Sequence, residues 1–141
     1  MGPSVVDTSV TLSWCFEDEA TPYSRSILAA LETTYAVVPA LWPFEVANAL
    51  AMAMADRRQR ITREGIADFL ETLRRLPIEV ERREALWLWQ AVLPLAREHR
   101  VSAYDAASLE MAKRDGVHLA TLDHDLQEAA HTLGIPIFEN S

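Results

Sequence analysis

A chain of 141 residues with 50% hydrophobic and 24% charged side chains has the length of one domain and the composition of a packed globular protein. Seven prolines and four glycines are too few for a low-complexity chain, and the longest run of small or apolar residues, Ala49 to Ala55, is far shorter than the ~18 needed to span a bilayer. No charged-then-apolar leader opens the chain, so a soluble, cytoplasmic, single domain over residues 1–141, without a membrane partner, is expected. The formal charge of -8 excludes a protein that coats nucleic acid through a broad basic surface. Eight of the thirteen basic residues nevertheless fall between positions 57 and 83 (Arg57, Arg58, Arg60, Arg63, Arg74, Arg75, Arg82 and Arg83), either as a solvated helical hairpin or as a local rim that guides a polyanion. Cys15 stands alone between Trp14 and Phe16, which rules out an internal disulfide and suits a core-filling thiol.

Val5-Val6 running into Asp7-Thr8-Ser9 predicts a short buried strand that delivers a cap-type residue to a helix start. Thr21-Pro22 opens a second helix, to about Leu31. Tyr35 to Val38 is a strand closed by Pro39, and Leu41 to Ala55 is an almost wholly apolar helix with Pro43 near its start. Ile66, Phe69, Leu70 and Leu73 follow the i, i+3, i+4, i+7 pattern, so Arg63 to Leu76 is amphipathic and helical. Pro77 to Val80 suits a short strand. Arg83 to His99 suits a helix with Ala85, Leu88, Trp89, Val92 and Ala96 inward and a kink at Pro94. Ser102 to Arg114 is a helix stopped by Asp115-Gly116. Val117 to Ala120 and Ile135 to Phe138 are strands around a short helix, Asp125 to Leu133, that stops at Gly134. This alternation predicts an α/β fold with a short, mostly parallel central sheet covered on both faces, with functional groups beyond the carboxyl ends of the strands.

Four carboxylates are embedded in otherwise small or apolar sequence: Asp7 in VVDTSV, Glu45 in WPFEVANAL, Asp105 in SAYDAASL and Asp123 in LATLDHDL. Taken singly, most have bland roles. Asp7 suits a helix cap, Asp105 completes a capping box begun by Ser102, and Asp123 or Asp125 suits the cap of the last helix. Glu45 fits least well, because Glu45 and Asn48 are the only polar side chains between Ala40 and Ala55, and a buried carboxylate needs a partner, arginine or metal. If the four converge, each pair ~5 Å apart repels by roughly 3 kcal/mol at an effective dielectric of about 20. Six such pairs exceed the stability of a small domain, and a divalent cation would relieve them. All-oxygen ligation suits Mg²⁺ or Mn²⁺ rather than zinc, and His99, His118, His124 and His131 form no HExxH arrangement. A carboxylate-held ion is the usual apparatus of phosphoryl chemistry, and it lets an acidic cleft accept a phosphodiester.

VVDTSV, WPFEVANAL, YDAASLEMA and LATLDHDL resemble, in order and spacing, the PIN-domain ribonucleases, and among them the VapC-type toxins of bacterial toxin-antitoxin pairs, from about Val5 to Phe138. The resemblance implies a three-layer α/β/α PIN-like domain and a Mg²⁺- or Mn²⁺-dependent endoribonuclease. It implies Asp7, Glu45, Asp105 and Asp123 as the acidic quartet, with Asp7, Asp105 and Asp123 holding the ion and Glu45 ligating through water or orienting the nucleophile. Ser9 and Thr121 take the accompanying hydroxyl positions, and Asn48 the asparagine after the glutamate. Asp125 is an extra carboxylate beside Asp123, with Asp123 expected nearer the metal. A homodimer and a cognate VapB-like antitoxin are further implications; Met52, Met54, Trp14 and Trp42 are candidates for an apolar interface, with core packing the expectation for each. Two enzyme rivals fail on residues: a receiver domain needs a lysine after a late strand, and Lys113 lies inside a helix; a haloacid-dehalogenase phosphatase needs an aspartate where Ser9 stands. The non-enzymatic alternative is a catalytically inactive PIN-like domain that binds a protein partner.

Overall fold

The computed structural model describes residues 2–56 and 60–139, so Arg57 and Arg58 of the basic run lie outside the described residues. Strand β1 (Ser4–Val6) is followed by α1 (Thr8–Ser13), a 3₁₀ turn (Glu17–Glu19) and α2 (Pro22–Ala30). Next come β2 (Ala36–Val38), α3 (Trp42–Ala55), α4 (Arg63–Arg75) and β3 (Ile78–Val80). The chain continues through α5 (Ala85–Trp87), a π turn (Leu88–Val92) and α6 (Leu93–His99) to α7 (Ala103–Asp115), β4 (His118–Ala120) and α8 (His124–Thr132). The caps read from the sequence hold: Thr21 and Ser24 form a reciprocal box at α2, Ser102 accepts the Asp105 amide at α7, and Gly116 closes α7 at φ +65°.

The four strands are parallel, in the order β3-β2-β1-β4. Their side chains alternate between two helical layers. Val5 and Leu119 pack with Leu109 and Met111 of α7 and Leu126 of α8, whereas Val6 and Ala120 pack with Val10 of α1 and Ile27 of α2. A third cluster joins Val38 to Val46 and Leu50 of α3 and Phe69 of α4. Each fully buried aliphatic side chain contributes roughly 1.5–3 kcal/mol, so a one-residue slip of β1 would send Val5 and Val6 to the wrong layers and forfeit several such terms. That penalty fixes the register Val6 to Ala120, and the register fixes what comes next to each strand. Because β1 has β2 on one side and β4 on the other, the crevice between β1 and β4 is the switch point of the sheet.

The structure departs from the periodicity at four places. Trp89 is 64% exposed and Ala85 is exposed, while Trp87, Leu88, Val92, Leu95 and Ala96 pack inward. The π turn inserts an extra residue per turn and shifts the apolar face, and it ends where Pro94 has no amide to offer the preceding turn. The strand expected at Ile135–Phe138 reduces to one parallel bridge, Leu119 to Ile137, because Pro136 cannot donate and the segment lies at the sheet edge. Met52 and Met54 are exposed on α3, whereas Trp42 is buried. Four arginines of the expected polyanion rim are held by neighbouring carboxylates: Arg60 by Asp18 and Glu19, Arg74 and Arg75 by Glu71, and Arg83 by Glu81. Cys15 is half-buried against the third cluster, and burial pushes its thiol up to about 11. No described helix is long and apolar enough to cross a membrane.

Candidate active site

The register of β1 and β4 places Asp7 beside Thr121. The Asp7 amide donates to the Ala120 carbonyl at 2.9 Å, and the Thr121 hydroxyl donates to Asp7 Oδ2 at 2.8 Å. Ser9, the second residue of α1, donates to the same Oδ2 at 2.8 Å and accepts from the Leu122 amide at 3.0 Å. Asp7 is buried and stands at the N-cap position of α1, yet its side chain makes no cap bond, so the bland role fails. Burial raises the proton affinity of Asp7; the Ser9 and Thr121 hydroxyls and the nearby Thr8 and Ser9 amides oppose the rise without cancelling it.

Three further carboxylates face this point. Glu45, in the first turn of α3, accepts a hydrogen bond from the Thr8 hydroxyl. Its pKa is raised by burial first and by Asp7 second, with Thr8 pulling the other way. Asp105, in the first turn of α7, is pushed up to about 7 by burial and then by the charges of Asp7, Asp123 and Glu45. Asp123 caps α8, its Oδ1 accepting the Asp125 and Leu126 amides at 2.9 and 3.2 Å, and its own amide donates to Thr121 Oγ1 at 3.1 Å. The quartet therefore comes from β1, α3, α7 and the β4–α8 turn, and Asp105 feels the other three at once. Among the described residues, no arginine, lysine or histidine forms an ion pair with any of the four.

A hard divalent cation fits this donor set, since all four groups are oxygen ligands and their mutual repulsion is the interaction a cation would relieve. Among the described residues no three His, Cys, Asp or Glu side chains gather at coordination spacing. The geometry is a converging acidic cleft rather than a finished coordination sphere.

A family model described as PIN domain matches residues 4–132. The chain belongs to the PIN domain family. Two solved structures share its fold: PAE2754 from Pyrobaculum aerophilum, at TM-score 0.65 and 22% identity over 92% of this chain and 87% of that one, and FitAcB from Neisseria gonorrhoeae, at TM-score 0.56 and 17% identity over 99% and 98%. No curated protein matches significantly. PIN domains are typically nucleases, and the four-stranded parallel sheet between helical layers is the architecture expected of one.

Within this PIN domain, Asp7, Glu45 and Asp123 lie near enough to Asp105 for their charges to act on it, short of coordination spacing, and Ser9 and Thr121 are bonded to Asp7. Asn48 shares a helical face with Glu45 by spacing, yet it is exposed and bonds to none of the four. Asp125 is exposed, and its charge is not among those that shift Asp105, whereas that of Asp123 is. Two polar groups of the site were not singled out from sequence. Thr8 holds Glu45, and Gln127 donates from Nε2 to the Thr121 carbonyl at 3.0 Å, steadying the turn that carries Asp123. The adjacency of Thr8 to Asp7 was a usable signal for the first; Gln127 carries none, because a surface glutamine on a helix is ordinary.

Proposed function

We propose that this PIN domain is a metal-dependent endoribonuclease of the VapC toxin type, hydrolysing RNA phosphodiester bonds with Mg²⁺ or Mn²⁺. The observation that carries the proposal is that Asp105 feels the charges of Asp7, Glu45 and Asp123 around the β1/β4 crevice, with no described cation paired to any of the four. Asp7, Asp105 and Asp123 would hold the ion, which when bound supplies charge neutralisation and an activated water for in-line attack on phosphorus. The residues' own share is orientation and proton handling. Ser9 and Thr121 fix one oxygen of Asp7, so the carboxylate enters the cleft in a single pose. Thr8 holds Oε1 of Glu45 and leaves Oε2 to take a proton from the attacking water, a task that its raised proton affinity favours. Cleavage of the P–O3′ bond leaves a 5′-phosphate and a 3′-hydroxyl.

A VapB-like antitoxin and a homodimer complete the proposal. Two apolar features support them. A groove of about 600 Å³ between α3 and α4, lined by Trp42, Val46, Leu50, Ile66, Leu70 and Leu73, offers a seat for an amphipathic segment. Leu86, Trp89 and Leu93 stand exposed along α5, the π turn and α6, a stripe suited to a second copy.

Purified protein incubated with end-labelled RNA in Mn²⁺ or in chelator, beside Asp7→Asn, tests the nuclease. Cleavage by wild type in Mn²⁺ alone is expected. Equal degradation in every lane would mean a contaminant, and no cleavage of any RNA would favour the inactive binding module.

A further inference from the structure

Asp7, Thr8 and Ser9 leave β1 in succession, and each reaches a different part of the cleft. Asp7 supplies a carboxylate, Ser9 ties that carboxylate to the β4–α8 turn through Leu122, and Thr8 crosses to α3. Thr8 is 5% exposed, so its hydroxyl is a polar group that must be satisfied inside the protein, and the group that satisfies it is Glu45. Packing alone would accept valine, which has the same shape. Glu45 in turn has one attractive side-chain partner among the described residues, Thr8, and carboxylates that repel it in Asp7 and Asp105. A glutamate has three side-chain torsions, and repulsion would turn it outward from the first turn of α3 unless a donor held it.

We propose that Thr8 is a positioning residue: its hydroxyl holds Glu45 against the repulsion of Asp7, so that α3 contributes its carboxylate to the same cleft as β1, α7 and the β4–α8 turn. This rests on the nuclease proposal for its catalytic consequence, while the anchoring of Glu45 is read separately from Mn²⁺ affinity. It also gives the three-residue segment Asp7-Thr8-Ser9 one logic, a ligand flanked by two hydroxyl anchors that face opposite walls.

The test is a double-mutant cycle of Thr8→Val and Glu45→Gln, with Thr8→Ser as the conservative variant, read by Mn²⁺ calorimetry without RNA, by kcat and KM on labelled RNA, and by the urea midpoint. Removing a hydrogen bond that orients a group beside a metal site costs roughly ten- to a hundredfold in affinity or activity, and Glu45 would reach the ion through its water, so Thr8→Val should lower kcat and weaken Mn²⁺ binding by about that factor with KM within about threefold. Thr8→Ser should return both to within about threefold of wild type, and Thr8→Val should cost nothing further on top of Glu45→Gln. A folded Thr8→Val protein with wild-type kcat and Mn²⁺ affinity overturns the proposal, as does an undiminished loss in the Glu45→Gln background. Should Thr8→Val fail to fold, Thr8→Ala takes its place in the same cycle. If wild type binds Mn²⁺ but cleaves no RNA, the nuclease proposal falls and the cycle on affinity still decides the role of Thr8. If wild type binds no Mn²⁺, both fall.

Discussion

Two clusters of carboxylates in this PIN domain make opposite use of the same chemistry. Near the end of β3, Glu81 accepts from Arg114 Nη2 at 2.7 Å and from Arg83 Nε at 2.6 Å, while Glu110 accepts from Arg114 Nε at 3.0 Å and from the Trp87 indole at 2.6 Å. Burial alone would raise Glu81, but the two guanidinium groups hold it below the ordinary carboxylate range. In the β1/β4 crevice, deeper burial meets no cation among the described residues, and Asp7, Glu45 and Asp105 are all raised. Acidic residues by themselves therefore say little. What distinguishes a structural tie from a candidate site is whether the chain supplies the countercharge.

The largest expected effect lies in the crevice. Asp7→Asn and Asp105→Asn should each lower metal-dependent RNA cleavage by about a hundredfold or more, as loss of one preorganised electrostatic group does, without lowering the melting temperature in chelator. A variant that keeps near-wild-type cleavage breaks the comparison on its functional side. Next comes the tie: Arg114→Met should cost about 1 kcal/mol in urea unfolding, because it leaves the half-buried Glu81 with Arg83 alone and Glu110 with the Trp87 indole alone, while cleavage per folded molecule stays as in wild type. Loss of cleavage with no loss of stability would show that the tie serves the site.

The two clusters also respond to pH with opposite sign. A carboxyl raised on folding holds extra protons in the native state, so the chelator-treated protein should lose crevice stability as pH rises from Asp105's ordinary 3.8 toward its folded value of about 7. Glu81, lowered on folding, contributes stability that is present above its ordinary 4.5 and lost as pH falls through its folded value. Melting temperature in chelator across pH 4 to 8 for wild type and Asp105→Asn should show a decline toward neutral pH that the variant flattens; parallel curves would contradict the assigned burial and crowding. The smallest effect is expected at Asp125→Asn, which should change cleavage by about twofold or less because its charge is not among those acting on Asp105, where Asp123→Asn should abolish most of it. Equal losses would move the ligand role into the turn as a whole.

How much of this was legible in the sequence follows from what each signal depends on. The strand-end positions of Asp7 and Asp123 could be read because buried strands and helix caps are local, and Thr21, Ser102 and Gly116 behave as their types dictate. The convergence of the quartet was a supposition from isolation in apolar sequence; the Val6–Ala120 register, set by burial on both faces, puts Asp7 beside the β4–α8 turn, and Asp105 feels the charge of the other three. Trp89 escaped because a single π turn changes the phase of a helix without any composition cue other than Pro94. Asn48 was grouped with Glu45 by spacing and by the resemblance; it is exposed on α3 and bonds to none of the four carboxylates. The arginine cluster could be read as a solvated hairpin or as a rim for polyanions, because charge pairing across 41 or 42 positions, as between Arg60 and Asp18 or Glu19, is invisible to a linear count.

The central claim is that Asp7, Glu45, Asp105 and Asp123 form one site that awaits a cation. Calorimetric titration of Mn²⁺ into chelator-treated protein, repeated at pH 6 and pH 8 in buffers of different ionisation enthalpy, tests it directly. The account predicts binding that tightens with pH through about 7 and releases protons below it, both lost in Asp105→Asn. Binding that is absent in wild type, or unchanged in the variant at either pH, would contradict it.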